Sequence, residues 1–201
     1  LATHSDMVQT LGKTHIDLQT LGVDFVSFSA HKIGGPTGVG ALVVRPGMSL
    51  TSLLRGGGQE QGRRSGTENL LGITGFGAAA VAAFGDVPLY RQMADWRDDF
   101  EATVSAVRPD VALFGTGAPR LGNTSCLSIG GKASETLVIA LDIAGFAVSA
   151  GSACSSGKVT ASHVLSAMGA GEKAAQAIRV SGGWQTRRDD FERLAQVLSG
   201  L

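Results

Sequence analysis

The sequence predicts an α/β protein in two parts, and three observations predict it. "VDFVSFSA" (23–30) alternates and is rich in Val and Phe, runs into the glycine-rich "HKIGGPTGVG", and resumes in "ALVVRP" (41–46). Strand, glycine turn and strand, with helical stretches around them, are the pattern of an α/β layer. "GDVP" (85–88) reads as a stop, after which the chain changes character. Beyond it, short strand-like runs and helical runs succeed one another, as in an α+β unit. The expected parts are residues 1–88 and 89–201.

The elements follow in order. Residues 23–30 form a buried strand and 41–46 a second one, closed by Pro46. "GGGQEQGRRSGTEN" (56–69) is a polar loop, and an Ala/Gly-rich helix runs from about Leu70 to Phe84. Leu89, Met93, Trp96, Phe100, Val104 and Val107 recur at steps of three and four, a single apolar stripe on a separate amphipathic helix. "VALFG" and "SCLSIG" read as strands, "ASETLVIALDIAG" (133–145) as a helix, "FAVSAG" as extended and "SHVLSAMG" as a short helix. "AIRVSGG" is a strand, and Thr186 is read as the cap of a final helix with Phe191, Leu194, Val197 and Leu198 on its inner stripe.

Composition narrows the function classes. A length of 201 residues with 43% apolar residues supports a folded core, and 29 glycines concentrated in a few segments point to turns. A formal net charge of zero gives no electrostatic reason to expect nucleic acid or an anionic membrane as partner. No apolar run is expected to span a bilayer, and no signal peptide opens the chain. The two cysteines, Cys126 and Cys154, make no disulfide framework, and no Cys/His cluster has metal spacing, so a reducing cytoplasm fits and no metal site is expected. The chain opens on Leu1, and "LATHSDMVQ" reads like the interior of a longer protein.

Several residues could carry chemistry. Lys32 follows a buried strand directly, where partial desolvation would lower its pKa and make the amine a nucleophile for carbonyls; a plain surface lysine is the other reading. Ser29, His31 and the turn amides could hold an anion. In "HSDMVQ", Asp6 and Gln9 could share one side of a turn or strand end, where a buried carboxylate would keep a pyridinium nitrogen protonated; alternatively Asp6 caps a turn. Gly56 to Gly58 allow close approach, and Arg63, Arg64, Ser65 and Thr67 could meet a phosphate, or the segment is a solvated hairpin. Arg179 lies between Ile178 and Val180 and calls for a carboxylate, from Asp142, Glu135 or a substrate. Cys154 sits in "SAGSACSSG" among small polar residues, an accessible place for a thiol. Cys126 reads as a small sheet or core residue, and the lone His15 and His163 as structural.

The order of these motifs is more specific than any one of them. "SFSAHKIGGPTGVGALVVR" resembles the lysine segment of the fold-type I pyridoxal-phosphate enzymes of the class V aminotransferase group. "GGGQEQGRRSGTEN" and "SAGSACSSGKVTASHVLSAMG" resemble the cysteine desulfurases with the longer cysteine loop, and "AIRVSGG" with its following helix resembles the end of that family. The resemblance implies the C-terminal part of a large cofactor domain, with a mixed, mostly parallel sheet, plus a small α+β domain. It implies pyridoxal phosphate on Lys32, Asp6 at the pyridine nitrogen, Gln9 at the ring hydroxyl side, and Ser29 and His31 at the phosphate. Thr67 would reach the phosphate of a partner subunit, implying a homodimer. Arg179 would grip the carboxylate of L-cysteine, and Cys154 would take its sulfur as a persulfide, leaving alanine. A sulfur-acceptor or iron–sulfur scaffold protein would follow as partner. The family's earlier segment lies outside this sequence, so the chain alone is expected to be inactive or feeble. The rivals are a selenocysteine lyase or another enzyme of the group, and a module that only dimerises or binds an acceptor.

Overall fold

The computed structural model describes residues 1–151 and 161–201. Contacts divide the chain into two compact units, Leu1–Pro88 and Leu89–Leu201.

In the first unit, β1 (His4–Asp6), β2 (Phe25–Ser29) and β3 (Gly40–Val44) form a mixed sheet in that order. β1 runs parallel to β2, with Asp6 opposite Ser27, and β3 runs antiparallel to β2. β1 is held at its start by Asp24, whose carboxylate accepts from the Thr3 amide at 2.9 Å and the Thr3 hydroxyl at 3.0 Å and pairs with Arg45 at 3.1 Å. After β2 the chain makes a single 3₁₀ turn, Ala30–Ile33, which buries Ala30 and Ile33 and ends on Gly34 at φ 79°. That left-handed conformation suits glycine. Gly40 allows the return: a Cβ there would sit 2.7 Å from the Phe28 carbonyl oxygen.

α1 (Leu70–Val107) follows, and here two sequence expectations need correction. "GDVP" does not end a helix, because α1 continues unbroken through Pro88. Proline forfeits one hydrogen bond and crowds the carbonyl four residues earlier, at a local cost of about 3 kcal/mol. The buried residues beyond it, Tyr90, Met93, Phe100 and Val104, offset that cost. The expectation that no apolar run could span a bilayer also fails. α1 is long and apolar enough to cross one, by length and composition alone.

The second unit carries a four-stranded sheet in the order β4 (Ala112–Leu113), β5 (Thr124–Ser128), β7 (Ala177–Ser181), β6 (Ser149–Ala150), all pairs antiparallel. Alternation along β5 and β7 sends Leu127, Ile178 and Val180 into one core with Phe100, Val104, Leu137, Leu141, Phe191 and Leu198. These come from α1, α2 (Ser134–Ile143) and α4 (Arg188–Gly200). Phe100 meets Phe191 edge to face, with centroids 5.9 Å apart. The other face of the sheet gives Ala177 and Cys126 to a smaller cluster with Leu165, from α3 (His163–Ala167), and Ala174. Among the described residues both apolar clusters lie in this unit.

A buried polar network ties the approach to β5 onto α1. Arg120 clasps Glu101 with two bonds of 2.7 and 2.9 Å, and the fully buried Ser125 hydroxyl donates to the same carboxylate at 2.6 Å. Asn123 donates to the Gly182 carbonyl at 2.7 Å, joining the start of β5 to the end of β7. Gly122 lies so close to α1 that a Cβ there would overlap the Tyr90 carbonyl oxygen. Thr186 is not the cap of α4, as its position before the apolar stripe had suggested. Its hydroxyl accepts from the Gly183 amide at 2.9 Å, closing a turn, while the Asp190 carboxylate accepts from the Arg187 amide at the helix start.

Candidate functional site

In the first unit the parallel pairing of β1 and β2 decides where the candidate residues lie. Asp6 ends β1, Ser29 ends β2, and His31 and Lys32 occupy the turn just beyond it. All four therefore sit at the carboxyl end of the parallel pair, the edge at which open α/β sheets bind ligands. The Ser29 hydroxyl and His31 Nδ1 are 2.8 Å apart. Asp6 uses one oxygen to accept from the Val8 amide at 3.0 Å, so the turn-cap reading holds for that oxygen. The Gln9 carbonyl oxygen accepts from the Lys13 ammonium at 3.1 Å. The burial expected for Lys32 and Asp6 is not there: both are exposed, the turn burying Ala30 and Ile33 instead.

Loop 56–69 is braced by bonds within itself. Arg64 donates to the Gly66 carbonyl at 2.6 Å and pairs with Glu60 at 3.4 Å. The Ser65 hydroxyl donates to the Gly57 carbonyl at 3.0 Å. Arg64 and Ser65 are thus engaged in shaping the loop. Glu60 and Gln61 stand at φ 48° and 58°, a strained pair for residues with side chains. Thr67 is exposed, as is Arg63.

In the second unit Arg179 points away from the core that takes Ile178 and Val180, and it is exposed. It lines a groove of about 350 Å³ between the sheet and α3, with Phe114, Cys126, His163, Leu165 and Met168. Neither Asp142 nor Glu135 pairs with it; among the described residues no carboxylate does, and Glu135 accepts instead from Ser134 at 3.3 Å. Burial pushes the Cys126 thiol up from its ordinary pKa, with Arg179 acting in the opposite sense. Cys126 packs in the smaller cluster as the sequence suggested, yet it also walls the groove, which alternation alone could not reveal without the pairing of β5 with β7. His163 is exposed in the same groove and His15 is exposed in the first unit, so neither serves as a packing residue. Cys154 lies outside the described residues. Among the described residues, no group of His, Cys, Asp and Glu could hold a metal ion.

A family described as Aminotransferase class-V matches residues 1–194. The chain belongs to the class-V aminotransferase family. Within that family it is similar to a cysteine desulfurase of Cereibacter sphaeroides, 43% identical over 197 residues, which cover 97% of this chain and 50% of the relative. Among solved structures it is similar to a NifS-like protein from Rickettsia africae, with a TM-score of 0.85 and 33% identity over 98% of this chain and 52% of the other. SspA, solved in complex with cysteine, aligns with a TM-score of 0.66 and 29% identity over 90% of this chain and 50% of that one. The chain spans about half the length of the relatives it matches.

Proposed function

We propose that this chain carries the lysine, the carboxylate-binding arginine and the sulfur-accepting cysteine of a cysteine desulfurase that uses pyridoxal phosphate. The observation that carries the proposal is the gathering of Asp6, Ser29, His31 and Lys32 at one edge of the β1–β2 pair. An amine, an imidazole, a hydroxyl and a carboxylate are a donor set that fits a phosphorylated pyridine aldehyde. Lys32 has no partner among the described residues, and the second Asp6 oxygen is not engaged by the turn. The similarity to desulfurases favours L-cysteine, and SspA was solved with cysteine.

Pyridoxal phosphate, when bound, supplies an electron sink for the bonds at the substrate α-carbon. Ser29 and His31 would hold its phosphate, Asp6 its ring nitrogen and Gln9 the ring hydroxyl side. Thr67 would serve the phosphate of a second subunit in a homodimer. Lys32 would tether the carbonyl carbon and then move the α-proton. Arg179 would orient the substrate carboxylate. The Cys154 thiolate would attack the substrate sulfur: a sulfur–sulfur bond forms, and the carbon–sulfur bond breaks with its electron pair left on carbon. That carbon takes a proton to give L-alanine, and Cys154 keeps a persulfide for an acceptor or iron–sulfur scaffold protein. A reducing cytoplasm suits such a thiol.

The first test adds pyridoxal phosphate to the purified chain, followed by borohydride and peptide mass spectrometry. An absorbance band in the violet and a reduced adduct on Lys32, lost in Lys32→Ala, are the expected results; no adduct on Lys32 would count against cofactor binding by this chain. In the complete protein, Cys154→Ala should abolish sulfide release while the band persists. Turnover retained by that variant would favour the selenocysteine lyase type of chemistry.

A further inference from the structure

The residues around Arg179 share a property that the reaction does not explain by itself. Cys126 of β5 and Ser149 of β6 are its direct cross-strand partners. The next positions on the same face are Thr124 and Ser181 on one side and Ser128 and Ala177 on the other. Every one is neutral. A position directly opposite an arginine in an antiparallel pair is where an acidic residue adds stability, because the two Cβ atoms stand about 5 Å apart. Here that position holds a thiol in place of a carboxylate, so the guanidinium enters the groove with no acidic partner among the described residues. The groove, at about 350 Å³, is within the range for small-molecule sites.

We propose that Cys126 is the neutral wall of a carboxylate site, positioned so that a small monocarboxylate held by Arg179 rests against the Cys126 sulfur. This rests on the reading of Arg179 as a carboxylate holder and adds a positioning residue to it. An acidic residue at position 126 would occupy Arg179 from within the sheet, and a large one would fill the space beside it. A thiol does neither, and it packs its inner side against Leu165 and Ala177.

The arrangement can be tested on the chain as it is, with no cofactor and no turnover. Iodoacetate and iodoacetamide have nearly the same size and the same leaving group, and differ in carrying a carboxylate or an amide. In either case the Cys126 sulfur forms a bond to the methylene carbon, the carbon–iodine bond breaks with its electrons leaving on iodide, and the thiol proton goes to buffer. Rates are read at Cys126 by peptide-resolved mass spectrometry. The expected result is an iodoacetate-to-iodoacetamide rate ratio at least tenfold lower in Arg179→Gln than in the native chain, and preserved in Arg179→Lys. Propionate should protect Cys126 from iodoacetamide in the native chain and fail to do so in Arg179→Gln. A ratio unchanged in Arg179→Gln, a ratio lost in both variants, or no labelling of the folded chain by either reagent would each overturn the proposal. Absence of the Lys32 adduct would remove the cofactor reading and leave this result standing.

Discussion

Asp24 illustrates how a single side chain places a candidate site. Its hydrogen bonds from Thr3, with Arg45 beside it, hold the carboxyl below the usual carboxylate range. A carboxyl whose pKa falls on folding contributes stability that is fully present above the unfolded value of about 3.9 and is lost as pH falls through the folded value. The attachment of β1 should therefore loosen in acid below pH 4, and Asp24→Asn should abolish that dependence, as read by amide exchange at Phe25 and Ser27. Glu101 is a second case. Glu101→Ala would strand Arg120 and the Ser125 hydroxyl, and should cost about 3 kcal/mol in denaturant unfolding. Residues differ in how much of their role could be read beforehand. Lys32 and Asp6 could be singled out as candidates because a short motif at a strand end carries its own chemistry, although the burial expected of them is absent. Glu101, Arg120 and Ser125 could not, because their pairing joins residues 19 and 24 positions apart and leaves no periodic trace.

At the level of elements, alternation gave β2, β3 and β7 within two residues, and the three-and-four spacing gave the inner face of α1 beyond Pro88. The failures have local causes. Pro88 reads as a breaker because propensity is a local quantity, whereas the packing of Met93, Phe100 and Val104 that keeps the helix intact is not. Thr186 reads as a cap because it lies one residue before the true helix start at Arg187, whose own amide donates to the Asp190 carboxylate three residues on, the reciprocal half of a capping box. Asp190→Ala should accordingly destabilise α4 by about 1 kcal/mol, whereas Thr186→Val should leave α4 intact and relax only the turn at Gly183. Helix content followed by circular dichroism through a thermal transition separates the two outcomes.

Across the whole molecule, apolar burial is uneven. Among the described residues both buried clusters fall in Leu89–Leu201, while the first unit buries Val26, Ala30, Ile33 and Ala83 and exposes Leu53, Leu71, Val81 and Phe84. Hydrogen exchange should show its strongest protection in β5, β7 and α4 and much weaker protection in β1 to β3, since local opening follows buried apolar contact. Equal protection in the two sheets would contradict this distribution. Exposed leucines on this scale, with Phe84 and Val81, also predict self-association that rises with concentration, measurable by light scattering. One feature of the second unit bears on which sequences can encode this protein at all. Because Gly122 lies beneath the Tyr90 carbonyl, any side chain there would have to displace a strand or a helix. Replacing position 122 with each of the twenty amino acids should leave one tolerated letter, a constraint on inheritance set by the absence of a single methyl group.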